Sequence, residues 1–174
     1  EVVLKGNTIL GNKFASKNRT GSSFYLSKAE LNQFGDIDIN RVLDRIPGVT
    51  VYEEDGFGLR PNISLRGTSP ERSSKITIME DGILAAPAPY SASSAYYFPS
   101  VARMSAVEVL KGSSQIQYGP NTTGGVINFV SSEISDSLKI DVENSYGSFK
   151  SGKLVSRISN SNETLGYLLE YLNF

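Results

Sequence analysis

Short apolar runs that end at Gly, Pro or Asp follow one another along the middle of the chain. Val and Ile dominate them, and these residues favour the pleated, half-buried surface of a β-sheet. The pattern predicts five strands, over residues 48–53 (GVTVYE), 62–67 (NISLRG), 75–82 (KITIMEDG), 106–112 (AVEVLKG) and 124–130 (GGVINFV). Because a Gly-rich turn joins the last two, we expect them to pair in one small sheet.

Helical spacing is found in three stretches, residues 27–34, 38–48 and 95–104. Ser27 and Glu30 have the spacing of a capping box, and the second stretch stops at Pro47. Pro99 interrupts the third stretch, because proline has no backbone N–H to donate. Short helices mixed irregularly with short strands are typical of an α+β domain, which we place at residues 21–132.

Residues 1–20 precede this domain and contain one short apolar patch, EVVLKG, followed by mostly polar residues. The first residues of a domain are rarely held by packing, so this composition predicts a flexible arm. An extended apolar segment on such an arm could add a strand to the sheet edge of a partner.

Apolar and polar residues begin to alternate after residue 132. In residues 137–147 Leu138, Ile140, Val142 and Tyr146 share one face, and residues 164–174 repeat the pattern in part. Such segments fit transmembrane β-barrel strands of about 9–11 residues, and an ordinary antiparallel sheet with one wet face fits the alternation as well. Since Phe174 falls inside a strand pattern, we expect these strands to belong to a sheet that is incomplete here.

Composition removes several classes of function. The 174 residues include 17 basic and 18 acidic ones, so no overall field attracts nucleic acid. The chain has no Cys and no His, which takes away thiolate chemistry, the commonest general base and the commonest metal ligand. No run of about 18 apolar residues encodes a transmembrane helix, and no signal peptide is visible, as would also be true of a mature exported chain.

Four stretches occur in a telling order and spacing: INRVLDRIPGVTV, ISLRG, ITIMEDGI and AVEVLKGSSQIQYGPNTTGGVINFV. This series resembles the plug domain of TonB-dependent outer-membrane receptors, which import ferric siderophores, vitamin B12 and similar solutes. The resemblance covers residues 1–132, and the barrel-like strands follow where the family would have them. The DGI sequence followed by APY is most similar to the ferric-citrate branch.

The resemblance implies an α+β plug with a small mixed β-sheet and short helices, followed by the first strands of a transmembrane antiparallel β-barrel. It divides the chain into a flexible arm (1–20), a plug (21–132) and barrel strands (133–174). It also implies location in the bacterial outer membrane, contact with its lipid through the barrel, no nucleic-acid partner and no enzymatic activity. No cofactor or direct metal ligand is implied, since iron would enter only within the transported chelate.

The amino-terminal patch lies where the family has its TonB box. The resemblance therefore implies capture by TonB, which is driven by the proton-powered complex of the inner membrane. A fraying terminus is the alternative. The implied TonB-binding residues are Glu1, Val2, Val3, Leu4, Lys5 and Gly6.

Two basic residues stand at strand ends next to Gly. In the family, the residues at these motif positions pair with carboxylates of the barrel wall, so the resemblance gives Arg66 and Lys111 the role of a plug–barrel lock. Lys111 cannot form the planar two-pronged pair that an Arg forms. Both residues could instead be solvated surface charges.

Three loops are implied to face the solute: residues 53–61, 68–74 and 85–97. Arginines in the first two could pair with an anionic ferric chelate, and hydroxyls in the third are neutral donors. Ala92 departs from the ferric-citrate importers, which have an amide side chain just after APY. Tyr97 belongs to the same set of hydroxyls, and Tyr96 and Tyr97 could alternatively pack a helix. The implied ligand-facing residues are Gly56, Phe57, Arg60, Arg72, Tyr90, Ser91 and Tyr96.

The predicted function is an outer-membrane receptor that binds a ferric chelate, such as ferric citrate or a siderophore complex, and imports it with energy from TonB. One alternative is a receptor of this fold for a non-iron solute such as cobalamin, a peptide or a sugar, and another is a docking surface for a colicin or a phage on the same fold. A soluble α+β binding module is a third. An α+β enzyme using Glu53, Glu54, Asp55 and Asp81 is disfavoured, because three of these are adjacent in one loop. A nucleotide site is excluded, because the Gly-rich turn lacks the Lys and helix of a P-loop.

Overall fold

The structure, a computed structural model, describes residues 8–18, 21–33, 38–55, 58–85, 92, 97–119 and 122–174. The chain forms two compact units, Glu1–Ser131 and Ser132–Phe174. The first carries a five-stranded mixed sheet, a two-stranded hairpin and three short helices. The second is a three-stranded antiparallel sheet.

The first sheet has the strand order β1-β6-β7-β4-β5. Its strands are β1 (Ser22–Ser27), β4 (Ile76–Glu80), β5 (Ile83–Leu84), β6 (Met104–Lys111) and β7 (Gly125–Ser131). Every pair is antiparallel except β4 and β7, which run parallel. The hairpin consists of β2 (Val49–Tyr52) and β3 (Asn62–Leu65). The predicted pairing of the two strands around the Gly-rich turn is confirmed as β6 with β7.

Both faces of the central strands are covered, which explains why β6 and β7 read as nearly continuous apolar runs. The larger core contains Val107 and Val109 of β6 and extends to the helices and the hairpin. Phe129 is fully buried there, with its ring edge-on to Phe98 at a centroid distance of 5.2 Å. The opposite face has a smaller cluster of Leu10, Met79, Leu110 and Val126.

The helices are α1 (Lys13–Asn18), α2 (Lys28–Asn32) and α3 (Ile39–Leu43). The predicted capping box is confirmed, since the Ser27 backbone N–H and hydroxyl donate to Glu30 at 3.0 and 2.7 Å. Lys13 also donates to Glu30, and these bonds, that of Lys13 foremost, lower the pKa of Glu30 to about 2. None of the helices within the described residues is long and apolar enough to cross a membrane.

Two local predictions differ from the structure. Residues 8–18, placed in the flexible arm, instead pack on the sheet: Leu10 is buried and the Ser23 hydroxyl donates to the Ser16 carbonyl at 2.6 Å. The predicted helix at 95–104 is reduced, in its described part, to one 3-10 turn, Val101–Arg103, before β6 begins. Pro99 supplies no N–H for a helical turn, and Phe98 is drawn onto Phe129.

The second unit consists of β8 (Lys139–Tyr146), β9 (Gly152–Ser161) and β10 (Gly166–Asn173), in the order β10-β9-β8. Ile140, Ile158 and Leu169 lie in one cross-strand row, and Val142 and Tyr171 belong to another row on the same face. The opposite face has ion pairs between Arg157 and Glu170 at 2.7 Å and between Lys153 and Glu143 at 2.8 Å. The alternation predicted for residues 137–147 therefore gives one apolar and one charged face.

Candidate functional site

Two loops that were predicted to face the solute meet at the beginning of β3. The Arg72 backbone N–H donates to the Asn62 side-chain oxygen at 2.8 Å. The buried Ser73 hydroxyl donates to the Pro61 carbonyl at 2.9 Å and accepts from the Ile63 N–H at 3.0 Å. These three bonds hold residues 61–63 and 72–73 together, so Arg72 is positioned by the strand that follows Arg60.

Both arginines of these loops are exposed. The Arg60 backbone N–H, together with that of Leu59, donates to the Asp55 carboxylate at 3.1 Å. Within the described part of the chain, no carboxylate lies within ion-pair distance of the Arg60 or Arg72 guanidinium. Among the described residues, the joined loops therefore carry two arginines without an ion-pair partner.

Arg66 and Lys111 lie near one another but are differently placed. Lys111, the last residue of β6, is 6% exposed, and its ammonium group donates to the Pro47 carbonyl. Burial, and secondarily the nearby charge of Arg66, lowers the pKa of Lys111. Arg66 is exposed, and its backbone N–H donates to the carbonyl of Gly48 at 2.9 Å. Neither has a carboxylate partner among the described residues.

A cluster that the sequence did not reveal binds Tyr97, the last residue of the third predicted loop, to the end of β4. Tyr97 donates its hydroxyl to Glu80 at 2.8 Å, and Arg103 donates to both Glu80 and, at 2.8 Å, the Tyr97 oxygen. Burial and the Glu80 bond raise the pKa of Tyr97. Because Glu80 ends β4 and Arg103 precedes β6, the cluster links the end of β4 to the start of β6. Ala92, the residue that departs from the ferric-citrate importers, is buried.

Several predicted site residues lie outside the described residues. They are the TonB-box segment Glu1, Val2, Val3, Leu4, Lys5 and Gly6 and the ligand-facing residues Gly56, Phe57, Tyr90, Ser91 and Tyr96. Their roles stay predictions.

Two of the four carboxylates of the alternative acid/base site, Asp55 and Asp81, have local structural partners. Asp55 accepts two backbone N–H groups of its own loop. Asp81 accepts the Ser131 N–H at 2.9 Å and the Ser131 hydroxyl at 2.6 Å, which fixes the end of β7. Among the described residues there is no group of three or more acidic side chains placed to hold a metal ion.

The fold and the position of these groups define the class of the molecule: a plug-type mixed sheet followed by barrel-type antiparallel strands. The family model described as TonB-dependent Receptor Plug Domain matches residues 16–126. This chain therefore belongs to the TonB-dependent receptor plug-domain family. The predicted family and fold class are both confirmed.

Solved structures of three receptors are similar to this chain. The ferric citrate transporter FecA, in its unliganded form, has 26% identity and a TM-score of 0.76, covering 94% of this chain and 26% of that one. The ferric yersiniabactin uptake receptor FyuA of Yersinia pestis has 24% identity and a TM-score of 0.66, covering 86% and 23%. The siderophore receptor PirA of Acinetobacter baumannii has 20% identity and a TM-score of 0.68, covering 97% and 26%. This chain spans about a quarter of their length.

Proposed function

We propose that this chain is the plug and first barrel strands of an outer-membrane receptor that binds an anionic ferric chelate and imports it with energy delivered by TonB. The observation that carries the proposal is the pair of exposed arginines, Arg60 and Arg72, in two joined loops of a TonB-dependent receptor plug. FecA, similar at 26% identity, is named as a ferric citrate transporter, which supports this class of solute.

The chelate would be recognised through its negative charge. Arginine pairs with carboxylate or catecholate oxygen through a planar fork of N–H donors, and both guanidinium groups lack a competing carboxylate in the described part of the chain. Tyr90, Ser91 and Tyr96 would add neutral hydroxyl donors. Iron would be cargo held by the chelate, with no ligand supplied by the plug.

Energy coupling would begin at Glu1–Gly6, which TonB would capture by strand addition. The proton gradient of the inner membrane would then act through TonB to rearrange the plug. Arg66 is the exposed member of the lock and would reach a barrel carboxylate. Lys111, bound to Pro47, would hold the turn before β2 against β6 and so keep the Arg66 region in place.

The solute class is tested by binding of radiolabelled ferric chelates, one at a time, to cells that carry the full-length receptor. We expect saturable binding of an anionic chelate and a loss of at least about tenfold in affinity in the Arg60→Ala/Arg72→Ala variant, since charge-assisted bonds are removed. Lys75→Ala, which removes an exposed cation of the same region, is the control and should bind within about twofold of wild type. Equal affinity in the double variant would exclude these loops, and binding of uncharged solutes alone would exclude a ferric chelate.

The two lock residues should respond differently to removal of their charge. Lys111→Met should destabilise the turn before β2 by roughly 1–3 kcal/mol, because the Pro47 carbonyl loses a charged donor. Arg66→Met keeps its backbone bond to Gly48 and should leave that turn unchanged. Hydrogen exchange of the Val49 amide in the full-length receptor measures the difference. Faster exchange of the Val49 amide in Arg66→Met, or an unchanged exchange rate in Lys111→Met, would contradict the division of roles.

A further inference from the structure

Glu108 is a carboxylate with no exposed surface, in the middle of β6. It lies on the face of the sheet that Leu110 occupies, opposite Val107 and Val109. An ionised carboxylate in such a place is stable only if its oxygens are saturated by donors. No Lys or Arg supplies them among the described residues.

The donors come from the amino-terminal segment. The backbone N–H of Ile9 donates to one carboxylate oxygen at 2.8 Å, and those of Leu10 and Gly11 donate to the other at 2.9 and 3.2 Å. These contacts join residues 97 to 99 positions apart in the chain. Three successive backbone amides thus converge on one buried side chain, a pattern that fixes the register of the segment as well as its position.

A fourth donor orients the carboxylate. Asn128, fully buried and directly opposite Glu108 in β7, donates its amide to Glu108 at 2.8 Å. Its side-chain oxygen accepts the Gly82 N–H at 2.9 Å, which decides which end of the amide faces Glu108. The carboxylate is therefore preorganised by the sheet, and the segment completes its set of donors.

We propose that Glu108 and Asn128 form a latch that fastens residues 9–11 to β6 and is, among the described residues, the first contact to resist tension applied at the amino terminus. The inference rests on the proposed coupling to TonB, because the predicted TonB-box segment ends three residues before Ile9. Pulling the segment away would strip three of the four donors from a buried charge. That loss is steep over a short displacement, whereas the apolar contacts of Leu10 decline more gradually.

The latch also gives tension a route to the lock. β6 carries Glu108 on one face, and its last residue, Lys111, holds the Pro47 carbonyl. If the hydrogen bonds of Glu108 hold, the force is transmitted from the segment to β6. If they break first, the segment is released and β6 bears no force. The strength of the Glu108 bonds therefore sets which of the two events happens first.

Hydrogen exchange in the full-length receptor tests the attachment. In Glu108→Gln the neutral amide keeps the shape but replaces one accepting oxygen by a donor, so exchange at Leu10 and Gly11 should accelerate at least about tenfold. Ser105→Ala is the matched control: it removes bonds of the same strand to the Val130 and Ser131 carbonyls and touches no part of the segment. It should leave exchange at residues 10 and 11 at the wild-type rate.

Force spectroscopy tests the latch without TonB. The Thr8→Cys substitution gives a single attachment point for the pulling probe, because this chain has no cysteine of its own. Any cysteine elsewhere in the full-length receptor is removed first. Glu108→Gln should lower the force of the first rupture, and Ser105→Ala should not. Should Glu108→Gln fail to fold, Ile9→Pro decides, because it deletes a donor from the segment and leaves Glu108 and the sheet intact.

Wild-type rupture force and wild-type exchange in Ile9→Pro and Glu108→Gln would overturn the latch. This result is separable from failure of the proposed function, which is read from chelate uptake by cells. A receptor that shows the latch under force but imports without TonB would retain the latch as a mechanical contact and contradict the coupling.

Discussion

Deleting residues 1–6 from the full-length receptor should abolish uptake of the proposed ferric chelate and leave its binding at the cell surface unchanged. The expected loss is complete, because the Gly-rich turn of this chain lacks the Lys and helix of a P-loop and, in the proposed function, TonB supplies the energy. Binding should persist, because Arg60 and Arg72 belong to loops that are held by Asn62 and Ser73 rather than by the amino terminus.

Two point variants distinguish loss of strand addition from the effect of shortening the amino-terminal segment. Val3→Pro removes a backbone donor that an added strand needs and should abolish uptake as the deletion does. Val3→Thr keeps the backbone donor and a β-branched side chain, so this variant should retain most of the uptake. The measurement is accumulation of radiolabelled chelate in energised cells. Uptake that survives the deletion would exclude residues 1–6 as the TonB box.

Among the described glycines of the plug, Gly125 is the one at which an added methyl group should lower the free energy of unfolding most. Gly125 begins β7 with φ of +150°, and a Cβ there would lie 2.3 Å from the Leu110 carbonyl oxygen and 2.5 Å from a Leu65 methyl. Because the carbonyl belongs to the paired strand β6, relief requires the sheet to shift. We expect a loss of about 3 kcal/mol or more in the free energy of unfolding.

Gly67→Ala is the control for backbone strain alone. Gly67 has φ of +76° and open space where its Cβ would be, so the cost should be about 1 kcal/mol. Exchange of the β6 and β7 amides in the full-length receptor, at conditions where it reports global opening, measures both. Equal costs for the two variants would contradict the close packing of β7 on β6 and β3.

Strands that are mostly apolar could be predicted from the sequence. β4, β6 and β7 are covered on both faces, so their runs of Val and Ile directly indicate buried strands. β1 could not be predicted, because SSFYLS is half serine and becomes a strand only by pairing with β6, 79 to 89 positions away along the chain. α1 is six residues long, too short to be stable by itself, and exists because it packs on β1.

The sequence was enough to predict which loops form the candidate site, but it was not enough to predict the hydrogen bonds between them. Gly and Pro marked the loops that carry Arg60 and Arg72, but the bonds of Asn62 and Ser73 that join them depend on the fold. Glu108 had a readable signal, a lone acid inside an apolar strand, which is rare unless the charge is partnered. Its partners could not be read, because they are backbone amides, and every residue has one.

The attachment of residues 9–11 to Glu108 also has a consequence for the order of folding. These residues are synthesised almost a hundred positions before their partner, and their binding site exists only once β6 and β7 have paired. Closing so long a loop on three amides is unfavourable until the sheet is complete, so the amino-terminal segment should dock at the end of folding. The part of the plug that becomes ordered last would then be the part nearest to TonB, ready to be undone without unfolding what was built before it.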